Sequence, residues 1–136
     1  MADELFGNIM WDDGRRLSSG IMTLATGETV RFTLDGYGPV ESVTEAARNT
    51  INFIVANEPL VRHKIAVSLL GLYREWNDGK TIPPEELGRK LNLKEIAFLD
   101  EGGGELCYTA GDLFTGHWVC VQFDASGEIG EPELEG

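Results

Sequence analysis

Apolar and polar residues alternate along the run Glu28–Leu34. Val30, Phe32 and Leu34 are separated by Arg31 and Thr33, the period of a half-buried strand with one solvated face. Two further β-like runs precede it, Glu4–Trp11 and Gly20–Ala25. The first ends in Asp12-Asp13-Gly14, a turn signal, and the second is joined to Glu28–Leu34 through Thr26-Gly27, a tight-hairpin connection. After Asp35-Gly36 the period changes. Ser42 with Glu45 three residues on forms a capping box, and Ala47, Ile51, Ile54 and Val55 fall on one helical face. Pro59 then restarts the chain as a second helix, because proline is tolerated only in a first turn. Its apolar stripe is Val61, Ile65, Leu69, Leu72 and Trp76, and Asn77-Asp78-Gly79 ends it. Thr81–Asn92 reads as a short third helix opened by Pro83 and Pro84. Lys94–Asp100, Gly104–Ala110 and Gly116–Asp124 return to β, while residues 131–136 read as a mobile tail.

Strands, then helices, then strands predict a single α+β domain over residues 1–136. Its expected form is an antiparallel β-sheet of N-terminal strands and C-terminal hairpins, with two to three central helices packed on one face.

The densest collection of reactive side chains is Tyr108–Asp124, which holds Asp112, Thr115, His117, Trp118 and Cys120. Pairing Gly104–Ala110 with Gly116–Asp124 as a hairpin sets Thr109 against Trp118, Tyr108 against Val119, Cys107 against Cys120 and Leu106 against Val121. Leu106, Tyr108, Val119, Val121 and Phe123 then form a core face. Cys107, Thr109, Trp118, Cys120 and Gln122 form a half-exposed one. In this reading Gly111 and Gly116 bracket the connection and Leu113 and Phe114 fold back as an apolar plug. Asp112 satisfies donors of its own turn, and His117 bonds to the loop backbone. The competing reading makes Asp112 and His117 an acid–base pair, but no nucleophile motif surrounds them. No catalytic residue, cofactor or metal is therefore expected. Cys107 and Cys120 have no CxxC or paired-histidine spacing, and two reduced thiols are the expectation. The carboxylates near the C-terminal glycines lack the alternation of a calcium loop. His63 falls on the polar side of the second helix, and Trp11 and Trp76 read as core or core-edge anchors.

The stretch from Pro83 to Gly136 resembles the bacterial domain of unknown function numbered 2262. The specific part is Gly111, Asp112, Leu113, Phe114, Gly116 and His117, with Thr115 where an aromatic would be expected. Looser similarity runs over the preceding helices and the N-terminal strands. The resemblance implies the fold and a cytoplasmic bacterial setting, and it implies no particular activity.

Charge narrows the field of partners. The 136 residues carry a net charge of -12, and no lysine or arginine follows Lys94. Such a field repels nucleic acid and anionic lipid and attracts a basic protein. No apolar run is long enough to span a bilayer, and no basic region followed by an apolar one opens the chain. A non-enzymatic binding module docking a basic protein is the favoured expectation, by analogy with small acidic immunity proteins, with Asp100, Glu101, Glu105, Asp112 and Trp118 as contacts. The alternative is a small enzyme or ligand- or metal-binding domain using Asp112 and His117. Neither reading sets an oligomeric state.

Overall fold

The computed structural model describes residues 2–3, 7–12, 14, 17–24, 27–35, 45–99 and 103–135. Eight strands and three helices follow one another as β1 (Ala2–Asp3), β2 (Gly7–Asp12), β3 (Leu17–Thr23), β4 (Thr29–Asp35), α1 (Glu45–Ala56), α2 (Glu58–Trp76), α3 (Pro84–Lys90), β5 (Asn92–Leu99), β6 (Gly104–Thr109), β7 (Trp118–Phe123) and β8 (Glu133–Glu135). The strands lie in one mostly antiparallel sheet whose spatial order is the chain order, β1 to β8. β4 and β5 pair in parallel, with Arg31 beside Glu95 and Leu34 beside Phe98. A parallel pair needs a long crossover, and the three helices occupy it. The α+β class is therefore the observed one.

Alternation sorts the strand residues. Met22, Val30, Phe32, Leu34, Ile96, Phe98, Leu106, Tyr108, Val119, Val121 and Phe123 are buried in one cluster with Ile54 of α1, Val61, Ile65, Ala66 and Leu69 of α2, and Leu87 of α3. Phe98 and Phe123 meet edge to face, their ring centroids 6.0 Å apart. Phe123 also lies over Gly104, where a Cβ would stand 2.6 Å from its Cζ and collide with the Ala97 carbonyl oxygen. Only a residue without a side chain fits there.

Several boundaries differ from the sequence expectation. The third helix is shorter than Thr81–Asn92, because Pro83 is extended and Leu91 already has strand-like backbone. β1 and the Leu17 start of β3 were not expected. Residues 131–136, expected as a tail, include β8, which pairs with β7 through Val119 and Leu134. Leu134 packs against the core while Glu133 and Glu135 stay exposed. A half-buried leucine between two charged residues suits an edge strand, since the charges discourage further pairing. α2 carries Pro59 in its first turn, as expected. Its stripe is buried at Val61, Ile65 and Leu69, while Trp76 is 40% exposed at the far end. Ser42 and the side chains of Trp11, Ala47 and Ile51 lie outside the described residues.

Candidate functional site

The residues that alternate with the core positions make up the second sheet face. The strand register aligns Arg31 with Glu95 and Glu95 with Cys107, then Cys107 with Cys120 and Cys120 with Glu133. Among the described residues Ile21, Arg31, Glu95, Gln122, Glu133 and Glu135 are exposed here, and Cys107, Thr109 and Trp118 are half-buried. Ile21 is 59% exposed and Met10, on the same face of the sheet, 76%. A shallow depression of about 370 Å³ lies among Ile21, Arg31, Lys94, Glu95, Thr109 and Trp118.

At the centre of this face the two cysteines stand directly opposite each other on β6 and β7, in the register that the alternation predicts. They are unbridged. The Cys107 thiol donates to Oε1 of Glu105 at 3.4 Å. Burial pushes the Cys107 thiol up to about 11, and the neighbouring Glu105 carboxylate adds to the rise. Burial raises the Cys120 thiol further, helped by Cys107 and by Glu135 of β8. Both side chains are thus protonated thiols at neutral pH, and sluggish as free nucleophiles.

A second concentration of charge lies on the buried side. Glu58, at the start of α2, is 1% exposed. One turn on, Arg62 donates through Nε to its Oε2 at 3.1 Å and through Nη1 to the Leu91 carbonyl at 3.1 Å. Its Nη2 donates to Oε1 of Glu28 at 2.9 Å. The Tyr108 phenol donates to Oε2 of Glu58 at 3.2 Å, and the guanidinium lies 5.6 Å from the centre of its ring. Burial drives the phenol far above its ordinary value, so it stays a neutral donor. A cleft of about 220 Å³ runs beside the network between α2 and α3, lined by Pro59, His63, Pro84 and Arg89 among others. Arg62 is already engaged by two carboxylates and a carbonyl, which makes the network a strut between α2, β6 and the β3–β4 turn. Sequence reasoning missed it. The available signal was Glu58 itself, which sits three and seven residues before Val61 and Ile65 and so shares their buried stripe.

The corner between β6 and β7 is built as expected in most respects. Leu113 and Phe114 are buried, and Gly111 and Gly116 have φ of 58° and 86°. Phe114 meets Tyr73 and Trp76 edge to face, and Asn77 Nδ2 donates to the Leu113 carbonyl at 3.0 Å. The corner is therefore pinned to the C-terminal end of α2. His117 donates from Nδ1 to the Phe114 carbonyl at 2.8 Å and packs its ring on Trp76 at 5.2 Å. Asp112 differs from expectation: it is exposed, and its turn is closed by its backbone carbonyl, which accepts from the Thr115 amide at 3.4 Å. No hydrogen bond or ion pair among the described residues joins Asp112 to His117.

Of the expected partner contacts, Glu105 and Trp118 share the second sheet face, Trp118 standing opposite Thr109, four residues along β6 from Glu105. Asp112 stands at the corner beyond the end of β6. Asp100 and Glu101 lie outside the described residues. His63 is exposed, as expected. No described helix is long and apolar enough to cross a membrane.

Comparison with known proteins gives one match. No curated protein and no solved structure matches the chain. A family model, DUF2262, described as an uncharacterized protein conserved in bacteria, matches residues 3–134. With nearly the whole length covered, the chain belongs to this bacterial DUF2262 family.

Proposed function

We propose that this protein is a cytoplasmic, non-enzymatic binding module that docks a basic protein partner onto the second face of its sheet, in the manner of an immunity protein. In this reading the helices lie over the buried face alone, and the other face is the working surface. The observation that carries it is the make-up of that face. Half-buried Trp118 shares a depression with exposed Ile21, Glu95, Arg31 and Lys94 and stands opposite Glu135, while Glu105, Gln122 and Glu133 lie further along the same face. An aromatic anchor on a face where carboxylates outnumber basic residues suits capture of a basic surface. Carboxylates at the rim raise the encounter rate, and Trp118 supplies desolvated area once contact is made.

The test compares pull-downs from lysate of the native bacterial host using wild-type protein, Trp118→Ala, and the double variant Glu95→Lys with Gln122→Lys. The expected result is a basic protein retained stoichiometrically by wild type at low salt, weakened by salt, and lost with both variants while their circular dichroism is unchanged. The same bound species on wild type and variants would sink the reading.

A further inference from the structure

We infer that Cys107, Cys120 and Glu105 form a binding site for a divalent zinc ion on the second sheet face. The spacing of the two cysteines in the sequence gives no hint of a metal, because they lie on separate strands. The fold brings them face to face across the β6–β7 ladder, and Glu105, two residues before Cys107, projects from the same side of β6. Their ligand atoms all lie within 4.8 Å of one another. In a tetrahedral zinc site with bonds of about 2.3 Å to sulfur and 2.0–2.2 Å to oxygen, neighbouring ligand atoms stand about 3.4–3.8 Å apart. The Cys107 Sγ to Glu105 Oε1 separation is already 3.4 Å. Side-chain rotations of order 1 Å would bring the third donor in, with no change to the backbone.

The chemistry of the donors selects the ion. Two thiolates favour zinc and other soft or borderline metals over calcium and magnesium, which need six or more oxygen ligands or retained water. The three donors also gather up to three negative charges when ionised, and no lysine or arginine among the described residues forms an ion pair with Glu105. A dication would neutralise that charge. Glu135 of β8 also interacts with Cys120. All three ligands sit on paired strands rather than loops, so the site is largely organised before the ion arrives. Binding releases protons from both thiols, so affinity rises with pH. The site does not depend on the docking reading.

The experiment uses reduced, chelator-treated full-length protein, titrated with cobalt(II) and then with zinc(II) against a chromophoric chelator, with native mass spectrometry for stoichiometry. One ion per chain is expected, with a sulfur-to-cobalt charge-transfer band that zinc abolishes. Cys107→Ser and Cys120→Ser should each weaken zinc binding by about 100-fold or more, and Glu105→Gln by about 10-fold. Ile21→Lys, on the same face but three strands from Cys107, should bind zinc as wild type does and keep the two proposals separable. Serine is close in size to cysteine, so unchanged circular dichroism certifies the folded state of each variant. Zinc bound no tighter by wild type than by the Cys107→Ser, Cys120→Ser double variant would overturn the assignment. So would a cobalt complex without the sulfur band, or a protein that forms a Cys107–Cys120 disulfide in air yet takes up no zinc when reduced.

Discussion

Tyr108 of β6 donates its phenolic hydrogen to Glu58 of α2 across fifty positions of sequence, at 3.2 Å. This contact and the two-carboxylate grip on Arg62 together tie the second half of the sheet to the central helix. A buried pair of this kind is costly to break from one side, because the survivor keeps its charge without a partner. Arg62→Met is expected to destabilise the fold by about 3–5 kcal/mol, and Tyr108→Phe by about 2 kcal/mol. The double variant Glu58→Met with Arg62→Met should recover part of the loss, since it leaves no buried charge behind, Glu28 being 30% exposed, although the Tyr108 phenol loses its acceptor. Urea unfolding of the three variants checks this. A double variant no more stable than Arg62→Met alone would refute the account.

Thr115 is a β-branched residue held at φ 53°. That conformation costs an L-residue roughly 1–2 kcal/mol, and asparagine tolerates it better than threonine does. Its hydroxyl contact with His117 Nδ1 at 3.2 Å is exposed and offsets little. Thr115→Asn is therefore expected to stabilise the protein by about 0.5–1 kcal/mol, read as a higher thermal midpoint. A lower midpoint would mean that the hydroxyl contact outweighs the backbone strain.

Two glycines should respond in opposite directions to alanine. At Gly104 a Cβ would meet the Ala97 carbonyl oxygen and the Phe123 ring. Gly104→Ala should cost about 3 kcal/mol or more, because a ladder oxygen cannot step aside. At Gly71, inside α2, nothing lies within 4 Å of the position a Cβ would take. Gly71→Ala should stabilise by about 1 kcal/mol through helix propensity. Thermal denaturation of the two variants side by side makes the comparison.

Asp124 organises the turn after β7. Its Oδ1 accepts from the Ser126 hydroxyl at 2.6 Å, the Ser126 amide at 2.9 Å and the Glu128 amide at 3.0 Å. The Ser126 hydroxyl, followed by the amides, holds the carboxyl below its ordinary value of 3.8. A depressed carboxylate contributes stability that is fully present above the unfolded value and lost as the pH falls through the folded one. The advantage of wild type over Asp124→Ala should thus be constant above pH 5 or so and shrink progressively below pH 3.8. Urea midpoints of the two proteins across that range provide the measurement, and a constant difference down to pH 2 or so would contradict the assignment.

What the sequence disclosed follows from how local each feature is. The β6–β7 register was legible residue by residue, because strict alternation on both arms and two bracketing glycines leave one pairing that buries Leu106, Tyr108, Val119 and Val121 together. The α2 stripe was legible for the same reason, with a helical period. β8 was not, since Glu133-Leu134-Glu135 is too short to show a period and is held by its pairing with β7. The parallel contact of β4 with β5 was invisible too, because nothing in either strand names its neighbour. At the candidate sites, the cysteine juxtaposition came directly from the register and Glu105 lies two residues from Cys107 on the same strand, but the Glu58–Arg62–Tyr108 network depends on tertiary packing. Asp112 was misjudged because an aspartate in a turn usually folds its carboxylate inward. Here the backbone carbonyl accepts instead, and the side chain points to water.

A sheet whose spatial order repeats its chain order is two meanders meeting at the β4–β5 boundary. Within each meander every strand finds its partner next along the chain, so those pairings close short loops and form early. Joining Arg31–Asp35 to Glu95–Leu99 instead requires the entropy of the whole 36–91 crossover to be overcome, and the reward arrives only when the helices dock. The boundary is therefore expected to close after the folding transition state. Leu34→Ala and Ile96→Val should chiefly hasten unfolding, whereas Val121→Ala, inside the second meander, should slow refolding, and stopped-flow chevrons of the three would show it. In kinetic terms, this one parallel contact governs how long the molecule stays folded more than how fast it gets there.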